Sequence, residues 1–302
     1  MNVPESLLRH LYSYDRSLPL GATTEVETPM DPRTLSPRTD LKSERVTFIS
    51  THDERVVVTL TYPASGGPFP AVILQHGSSG QGRHSLITTR PDLPEPVAYR
   101  LALAGMLVAT VDAYGFGSRE TPDNRGRLTT SRPDLMFRTR DARMQQVQDL
   151  RRTVDYLSTR DNVRSEAIGY FGISMGTRIG VPFIALDQRV SAAALFVGGT
   201  GPYSRFVTEG SPFADLSEEE ALVFSLTDPS VFGPLTSHVG KFVANGETDA
   251  TVGGREPAER LQQSLAEPKE IHWFPGGHGD YGDGLVAEAG RFLAGHLGAT
   301  KA

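Results

Sequence analysis

The 302-residue chain has 38% hydrophobic and 22% charged residues, a balance that suits a soluble globular protein with a sizeable core. Its formal net charge of −6 lacks the excess of Lys and Arg that a nucleic-acid or anionic-membrane partner calls for. It contains no cysteine, which excludes disulfides, thiolate metal sites and a cysteine nucleophile.

The first residues, Met1-Asn2-Val3-Pro4, lack the basic start and apolar h-region of a signal peptide, and no apolar run reaches the ~20 residues that span a bilayer. The expectation is a soluble, cytoplasmic protein. Residues 1 to 44 are polar and punctuated by Pro19, Pro29, Pro32 and Pro37. They predict an extension with one short helix near Ser6 to Tyr14, wrapped on a main body that runs from 45 to 302.

From Arg45 onward β-rich runs alternate with helical periods. The β runs are Arg45–Ser50, Val56–Tyr62, Ala71–Gln75, Met106–Val111, Ala167–Ile173, Ala192–Val197, Lys241–Ala244 and Glu270–Phe274. The short step from Thr51 to Arg55 predicts an antiparallel hairpin at one sheet edge. Ala71-Val72-Ile73-Leu74 and Leu107-Val108-Ala109-Thr110-Val111 are nearly unbroken apolar stretches, as in parallel strands covered on both faces. Helical spacing runs through Met136, Met144, Val147, Leu150, Val154 and Leu157. It recurs through Ala258, Leu261 and Leu265, and again through Leu285, Ala289, Phe292 and Leu293. All of these apolar residues are core candidates. The alternation predicts right-handed βαβ crossovers and an α/β fold with a mostly parallel eight-stranded sheet.

Gly172-Ile173-Ser174-Met175-Gly176 matches G-x-S-x-G. The pattern is weak alone, but here it follows the apolar run Ala167–Phe171 and opens a helical period through Thr177, Ile179, Val181 and Ile184. That is the strand–turn–helix setting the motif requires. Both glycines have a steric reason, because a side chain at either would strike the adjoining strand or helix. Ser174 is then expected at a strained corner with Oγ exposed, over a helix N-terminus that favours developing negative charge. Pro182 is expected to kink or interrupt that helix after about two turns.

Four more motifs flank this one in a fixed order. They are Gln75-His76-Gly77-Ser78-Ser79-Gly80, Asp112-Ala113-Tyr114-Gly115-Phe116-Gly117-Ser118, Gly246-Glu247-Thr248-Asp249 and Gly276-Gly277-His278-Gly279. On this order and spacing, roughly residues 45 to 297 resemble the α/β-hydrolase superfamily, and within it proteins of the dienelactone-hydrolase and acetyl-xylan-esterase type. The resemblance implies the α/β-hydrolase fold and a serine hydrolase with Ser174 as nucleophile.

A serine hydroxyl needs a base to accept its proton. The resemblance places that base at His278, and the flanking glycines leave the ring room to reach the serine. The nucleophile–acid–histidine order of the fold selects an acid between Ser174 and His278. Asp249 matches the family's G-x-x-D position, and Glu247 is its rival. One oxyanion donor is the N–H of Met175, directly after the nucleophile. The resemblance puts the second at the His76-Gly77-Ser78 turn, with Ser78 as donor, although Gly-Ser-Ser here replaces the Gly-Gly-Gly of many esterases. His76 is read as a hydrogen-bonder that fixes this loop, and Asp112 and Ser118 as ties of the loop after the fourth predicted strand. His272 lies within a strand, and His10, His52, His84, His238 and His296 have no motif around them. H-E-x-x-H, phosphate-cradling and EF-hand patterns are absent, so no cofactor and no metal are expected.

Two insertions are expected to shape the pocket. Residues 198 to 238 occupy the superfamily's cap position and carry Tyr203, Phe206, Phe213, Phe224 and Phe232, as cap core or as acyl-pocket walls. Within them Glu218-Glu219-Glu220 after Ser217 marks a solvated helix start. The second runs from Tyr114 to Arg140 at the expected entrance, and from there to Arg143 the residues Arg119, Arg125, Arg127, Arg132, Arg138, Arg140 and Arg143 make a local positive excess. Either they pair with nearby carboxylates and anchor a loop, or one or two hold an anionic part of the substrate. The leading expectation is hydrolysis of a small carboxylic ester through an acyl-enzyme. Thioesterase, amidase or peptidase, and acyltransferase chemistry stay open on the same residues, as does, more remotely, a non-catalytic ligand-binding role. Oligomeric state is not set by the sequence.

Overall fold

The computed structural model describes residues 3–122, 124, 136–200 and 217–300, and everything below concerns those residues. Its frame is one sheet of β1 (Thr23–Glu27), β2 (Leu41–Ile49), β3 (Arg55–Pro63), β4 (Phe69–Gln75), β5 (Leu107–Val111), β6 (Val163–Ile173), β7 (Val190–Phe196), β8 (Gly240–Gly246) and β9 (Lys269–Phe274). The order is β1-β2-β3-β5-β4-β6-β7-β8-β9. Pairings from β1 to β5 are antiparallel, and those from β5 through β4 to β9 are parallel. The predicted hairpin is β2–β3.

The described sheet therefore has nine strands where the sequence pattern predicts eight. The extra one, β1, is nearly all exposed, with Val26 at 89%. It forms by backbone pairing with β2 and by Arg45 bridging to Glu25 and Glu27, so it carries no buried face that a hydrophobic pattern could register. The sheet also begins upstream of residue 45, since β2 starts at Leu41.

Eight helices cover the sheet: α1 (Glu5–Leu11), α2 (Val97–Leu103), α3 (Met136–Leu157), α4 (Met175–Leu186), α5 (Glu218–Ser225), α6 (Pro229–Phe232), α7 (Arg255–Ser264) and α8 (Gly282–Leu297). Side chains alternate across each strand, so β4 feeds both cores at once. Ala71 and Ile73 join the core under α1, α3, α4 and α6, while Val72 and Leu74 join the core under α2 and α8. That double burial is why β4 and β5 are unbroken apolar runs. The α4 helix continues through Pro182 to Leu186 rather than stopping there. Its residues from Ile179 to Leu186 are all buried, and that packing outweighs the one backbone hydrogen bond a proline forfeits. No described helix is long and apolar enough to cross a membrane.

The N-terminal segment is built into this body. Leu8 and Tyr12 are buried in the main core, and Tyr12 donates its hydroxyl to the Leu226 carbonyl (2.9 Å) and packs edge-on against Phe232 (5.4 Å). Phe232 is itself fully buried in that core. Tyr203, Phe206 and Phe213 lie outside the described residues, as does the side chain of Phe224.

Arg152 of α3, fully buried, ties down the approach to β1 and the end of β2. It donates to the carbonyls of Leu18 (2.8 Å) and Ile49 (3.3 Å) and to Asp155 (3.0 Å). Methionine fills the space without donors and leaves those carbonyls and the Asp155 carboxylate without the guanidinium. Arg152→Met should cost about 3 kcal/mol. A urea titration should show a lower midpoint with unchanged slope, and proteolysis should quicken near residues 16 to 20.

Candidate active site

The turn from β4 to α2 and the crossover from β5 to α3 leave in opposite directions, so β4 and β6 flank the switch point of the sheet. Crevices for ligands form at the C-terminal ends of strands at such a point. Ser174 sits there, between β6 and α4. Its backbone is left-handed (φ 56°, ψ −110°), a conformation that costs a non-glycine residue about 1–3 kcal/mol. The surroundings hold it there. Ser174 N–H donates to Phe196 O (2.9 Å), and the Thr177 hydroxyl bridges to Phe196 O (2.7 Å) and Gly172 O (3.0 Å). A Cβ on Gly176 would stand 2.4 Å from the Gln75 carbonyl oxygen, and one on Gly172 would stand 2.7 Å from the Gly176 backbone. Met175 occupies the first helical position, where an N–H has no intrahelical acceptor.

Three residues distant in sequence meet at this corner. His278 Nε2 lies 2.8 Å from Ser174 Oγ, and His278 Nδ1 lies 2.7 Å from Asp249 Oδ2. A carboxylate only accepts, so Nδ1 carries the proton and Nε2 is the acceptor facing the serine hydroxyl. Asp249 is 1% exposed, and its Oδ1 accepts from Thr251 N (2.9 Å) and Val252 N (3.4 Å). The rival Glu247 is exposed, and its backbone N–H is committed to Phe274 O (3.0 Å).

The histidine loop is anchored by a residue that the sequence pattern gives no reason to single out. Arg90 donates to Gly279 O (2.6 Å) and to the Tyr281 hydroxyl (3.0 Å), contacts that span about 190 positions of chain. Asp280 accepts from Gly277 N (2.7 Å) at the other side of His278.

Across the crevice, residues 76 to 83 line the other wall. A Cβ on Gly77 would lie 3.3 Å from Ser174 Cβ, so the loop packs directly on the nucleophile candidate, and Ser78 is exposed at the mouth. His76 is fully buried; Ala113 N donates to its Nε2 (3.1 Å), and its Nδ1 lies 2.6 Å from Gly77 O. Burial pushes its imidazole below the ordinary value, against the Gly77 hydrogen bond and Asp112, which raise it. Asp112, also fully buried, accepts from Arg83 N (2.7 Å), Ser118 N (3.0 Å), Ser118 Oγ (2.6 Å) and the Arg83 guanidinium. Burial alone would raise the Asp112 carboxyl, but these donors and the Arg83 charge outweigh it and hold the carboxyl below its usual range. Arg83 is a second residue the sequence did not flag.

The arginine-rich segment is mostly part of the scaffold where it is described. Arg119 pairs with Asp149 (2.5 Å) and Glu54 (3.4 Å), Arg140 with Asp141 (2.5 Å), and buried Arg143 donates to Gln146 (2.9 Å). Arg138 instead lines a cavity of about 620 Å³ together with His52, Glu54, Tyr114 and Gln145. None of Ser174, Asp249 and His278 is among its lining residues. Arg125, Arg127 and Arg132 lie outside the described residues. Among the described residues no group of His, Asp and Glu is arranged to hold a metal ion.

A mostly parallel sheet covered on both faces, with a serine at a left-handed strand–helix corner facing a histidine and a buried aspartate, defines an α/β-hydrolase. The chain belongs to the dienelactone hydrolase family, whose model matches residues 58–280. Acetyl xylan esterase 1 from Thermoanaerobacterium sp. JW/SL YS485 has the same fold, with a TM-score of 0.66 at 16% identity over 96% of this chain and 99% of that one. So has an acetyl xylan esterase from Paenibacillus sp. R4, with a TM-score of 0.68 at 18% identity over 97% of this chain and 100% of that one. The protein YtaP of Bacillus subtilis (strain 168) is 32% identical over 129 residues, 41% of this chain and 42% of that protein. The match thus spans under half the length of that curated relative.

Two glycines separate contact from freedom. A methyl on Gly176 meets backbone that cannot swing aside, whereas one on exposed Gly284 in α8 meets nothing within 4 Å. Gly176→Ala should lose roughly 2 kcal/mol or more, and Gly284→Ala should gain about 0.5–1 kcal/mol. Thermal melts of the two variants should move in opposite directions.

Proposed function

We propose that this protein hydrolyses a small carboxylic ester through an acyl-enzyme, with Ser174 as nucleophile, His278 as base and Asp249 as the carboxylate that orients it. The observation that carries the reading is the unbroken hydrogen-bonded chain from Ser174 Oγ through His278 to Asp249, at 2.8 and 2.7 Å.

As Oγ attacks the ester carbonyl carbon, its proton passes to His278 Nε2, and the carbonyl π electrons move to oxygen. Asp249 accepts from Nδ1–H and stabilises the imidazolium, while its other oxygen keeps its two backbone donors. The oxyanion is received by the N–H groups of Met175 and Ser78. The tetrahedral intermediate collapses by expelling the alcohol, which takes the proton from Nε2, and leaves the acyl group on Oγ. Water then repeats the sequence: it gives a proton to Nε2, adds to the acyl carbon and releases the acid, and Oγ recovers its proton. In this reading residues 45–302 carry the chemistry and residues 1–44 brace them; the cap expected over 198–238 lies in part outside the described residues.

Ser174→Ala should lower kcat on a p-nitrophenyl ester by roughly 10⁴–10⁶ and abolish labelling by a fluorophosphonate. A folded variant that keeps a tenth of the activity would remove Ser174 from the role. For the acid, Asp249→Ala should lower kcat by about 10³–10⁴ and leave Glu247→Ala close to the parent. The reverse ranking would transfer the role to Glu247.

A further inference from the structure

Two consecutive residues at the end of β5, Asp112 and Ala113, hold the two ends of the loop that carries Ser78. At the near end, Ala113 N donates to His76 Nε2 (3.1 Å). A ring nitrogen that accepts carries no proton, so the proton of the neutral imidazole is on Nδ1. From there it is donated to Gly77 O (2.6 Å). The same carbonyl accepts from Ser79 N (2.7 Å), and Phe116 packs edge-on against the ring (5.7 Å). The Gly77–Ser78 peptide bond is trans, so the N–H of Ser78 points opposite to the Gly77 carbonyl. Fixing that carbonyl therefore fixes the direction of the N–H.

At the far end the grip is tighter. Asp112 receives both the backbone N–H and the guanidinium of Arg83. Arg83 Nε donates in turn to Thr59 Oγ1 of β3 (3.1 Å). A Cβ at Gly82 or at Gly117 would stand 2.2 Å from Asp112 Oδ1, and both glycines have positive φ. Both loops are thus moulded around this one carboxylate.

We propose that the end of β5 positions the oxyanion hole: Ala113, acting through the tautomer of His76, and Asp112, acting through Arg83, together present the N–H of Ser78 to the tetrahedral intermediate. The proposal rests on the reading of Ser174 as nucleophile and Ser78 as oxyanion donor. His76, Arg83 and Asp112 are positioning residues; none touches the reacting atoms.

The test uses the full chain and counts active sites by fluorophosphonate labelling, so that kcat is expressed per labelled Ser174. The variants are His76→Phe, His76→Asn, His76→Gln and the pair Arg83→Leu/Asp112→Leu, which removes both charges together and strands neither. Loss of an aimed oxyanion donor should lower kcat about 10²–10³-fold for His76→Phe while KM stays within about threefold. The affinity for a trifluoromethyl ketone, which forms a tetrahedral oxyanion on the serine, should fall by the same factor as kcat. His76→Asn should retain the most activity, because its amide N–H falls near the position of Nδ1; His76→Gln should retain less. The Leu pair should also lose kcat and ketone affinity in parallel. The proposal is overturned if His76→Phe and the Leu pair keep kcat per labelled site within about threefold of the parent, or if ketone affinity is unmoved while kcat falls. Should His76→Phe not fold, the ranking carries the test, and His76→Gln equal to or above His76→Asn overturns it. A parent chain that does not label at Ser174 instead refutes the nucleophile itself, and the proposal with it.

Discussion

Everything at the candidate site depends on one backbone conformation, the left-handed Ser174. A serine does not adopt φ 56° unless its surroundings over-determine it. Here they do so through close backbone approach. Gly176 lies against the end of β4 and Gly172 against the start of α4, where a methyl group would collide, and Gly77 lies against Ser174 itself, where one would be tight at 3.3 Å. The strand, the helix and the loop that carries Ser78 thus converge on a single residue. The corner lifts Oγ out of the sheet toward His278, and it places the unpaired N–H of Met175 beside it. Neither consequence is available from an ordinary helix start, where the first residue keeps extended or helical angles.

Two buried aspartates, Asp112 after β5 and Asp249 after β8, show how hydrogen bonding divides labour between identical side chains. Asp112 takes backbone, hydroxyl and guanidinium donors on its two oxygens, and its charge is paired with that of Arg83. Asp249 is held only on Oδ1, by two backbone N–H groups, and Oδ2 is left for His278. An anion buried at 1% exposure with one oxygen available suits the task of orienting an imidazole and stabilising its cation. Glu247, two residues earlier, has a side chain in solvent, where water would screen any such interaction.

The fold was legible wherever burial writes a pattern. β4 and β5 feed two cores and are apolar but for Gln75 and Thr110, and α3 shows its helical period from Met136 to Leu157, the bounds it has in the structure. β1 was not legible, because an exposed edge strand held by backbone pairing and an Arg45 bridge has no hydrophobic face. Pro182 was expected to kink or interrupt α4 on local propensity, and the helix nevertheless runs on to Leu186 with every residue from Ile179 buried. At the site, Ser174, Asp249 and His278 stand in motifs whose glycines mark tight turns, so the sequence exposes them. Arg83 and Arg90 stand in no motif. What distinguishes them is the partner each reaches, and partners 29 and 189 positions away leave no local trace.

Arginine does in this chain what disulfides do in others. Without a cysteine, the loops and the N-terminal segment have no covalent staple, and buried or half-buried guanidiniums span those gaps instead. Arg152 ties the approach to β1 onto α3, and Arg90 ties the histidine loop to the segment before α2. Arg164 ties β6 to the carbonyls of Leu297 and Gly298 at the end of α8 (2.7 and 2.9 Å). Most of these contacts are to backbone carbonyls, which a flat fork with five donors can grip in pairs without needing a matching acid. Hydrogen bonds from a charged donor contribute about 1.5–3 kcal/mol each, comparable to a short-loop disulfide when two or three act together. The positive excess between Arg119 and Arg143 follows the same logic at Arg119, where the guanidinium joins Asp149 of α3, Glu54 of the β2–β3 turn and the carbonyl of Asp112. That last contact brings the network to the end of β5, so Asp112, which holds Arg83 and Ser118, is itself seated on an arginine that ties two further elements together.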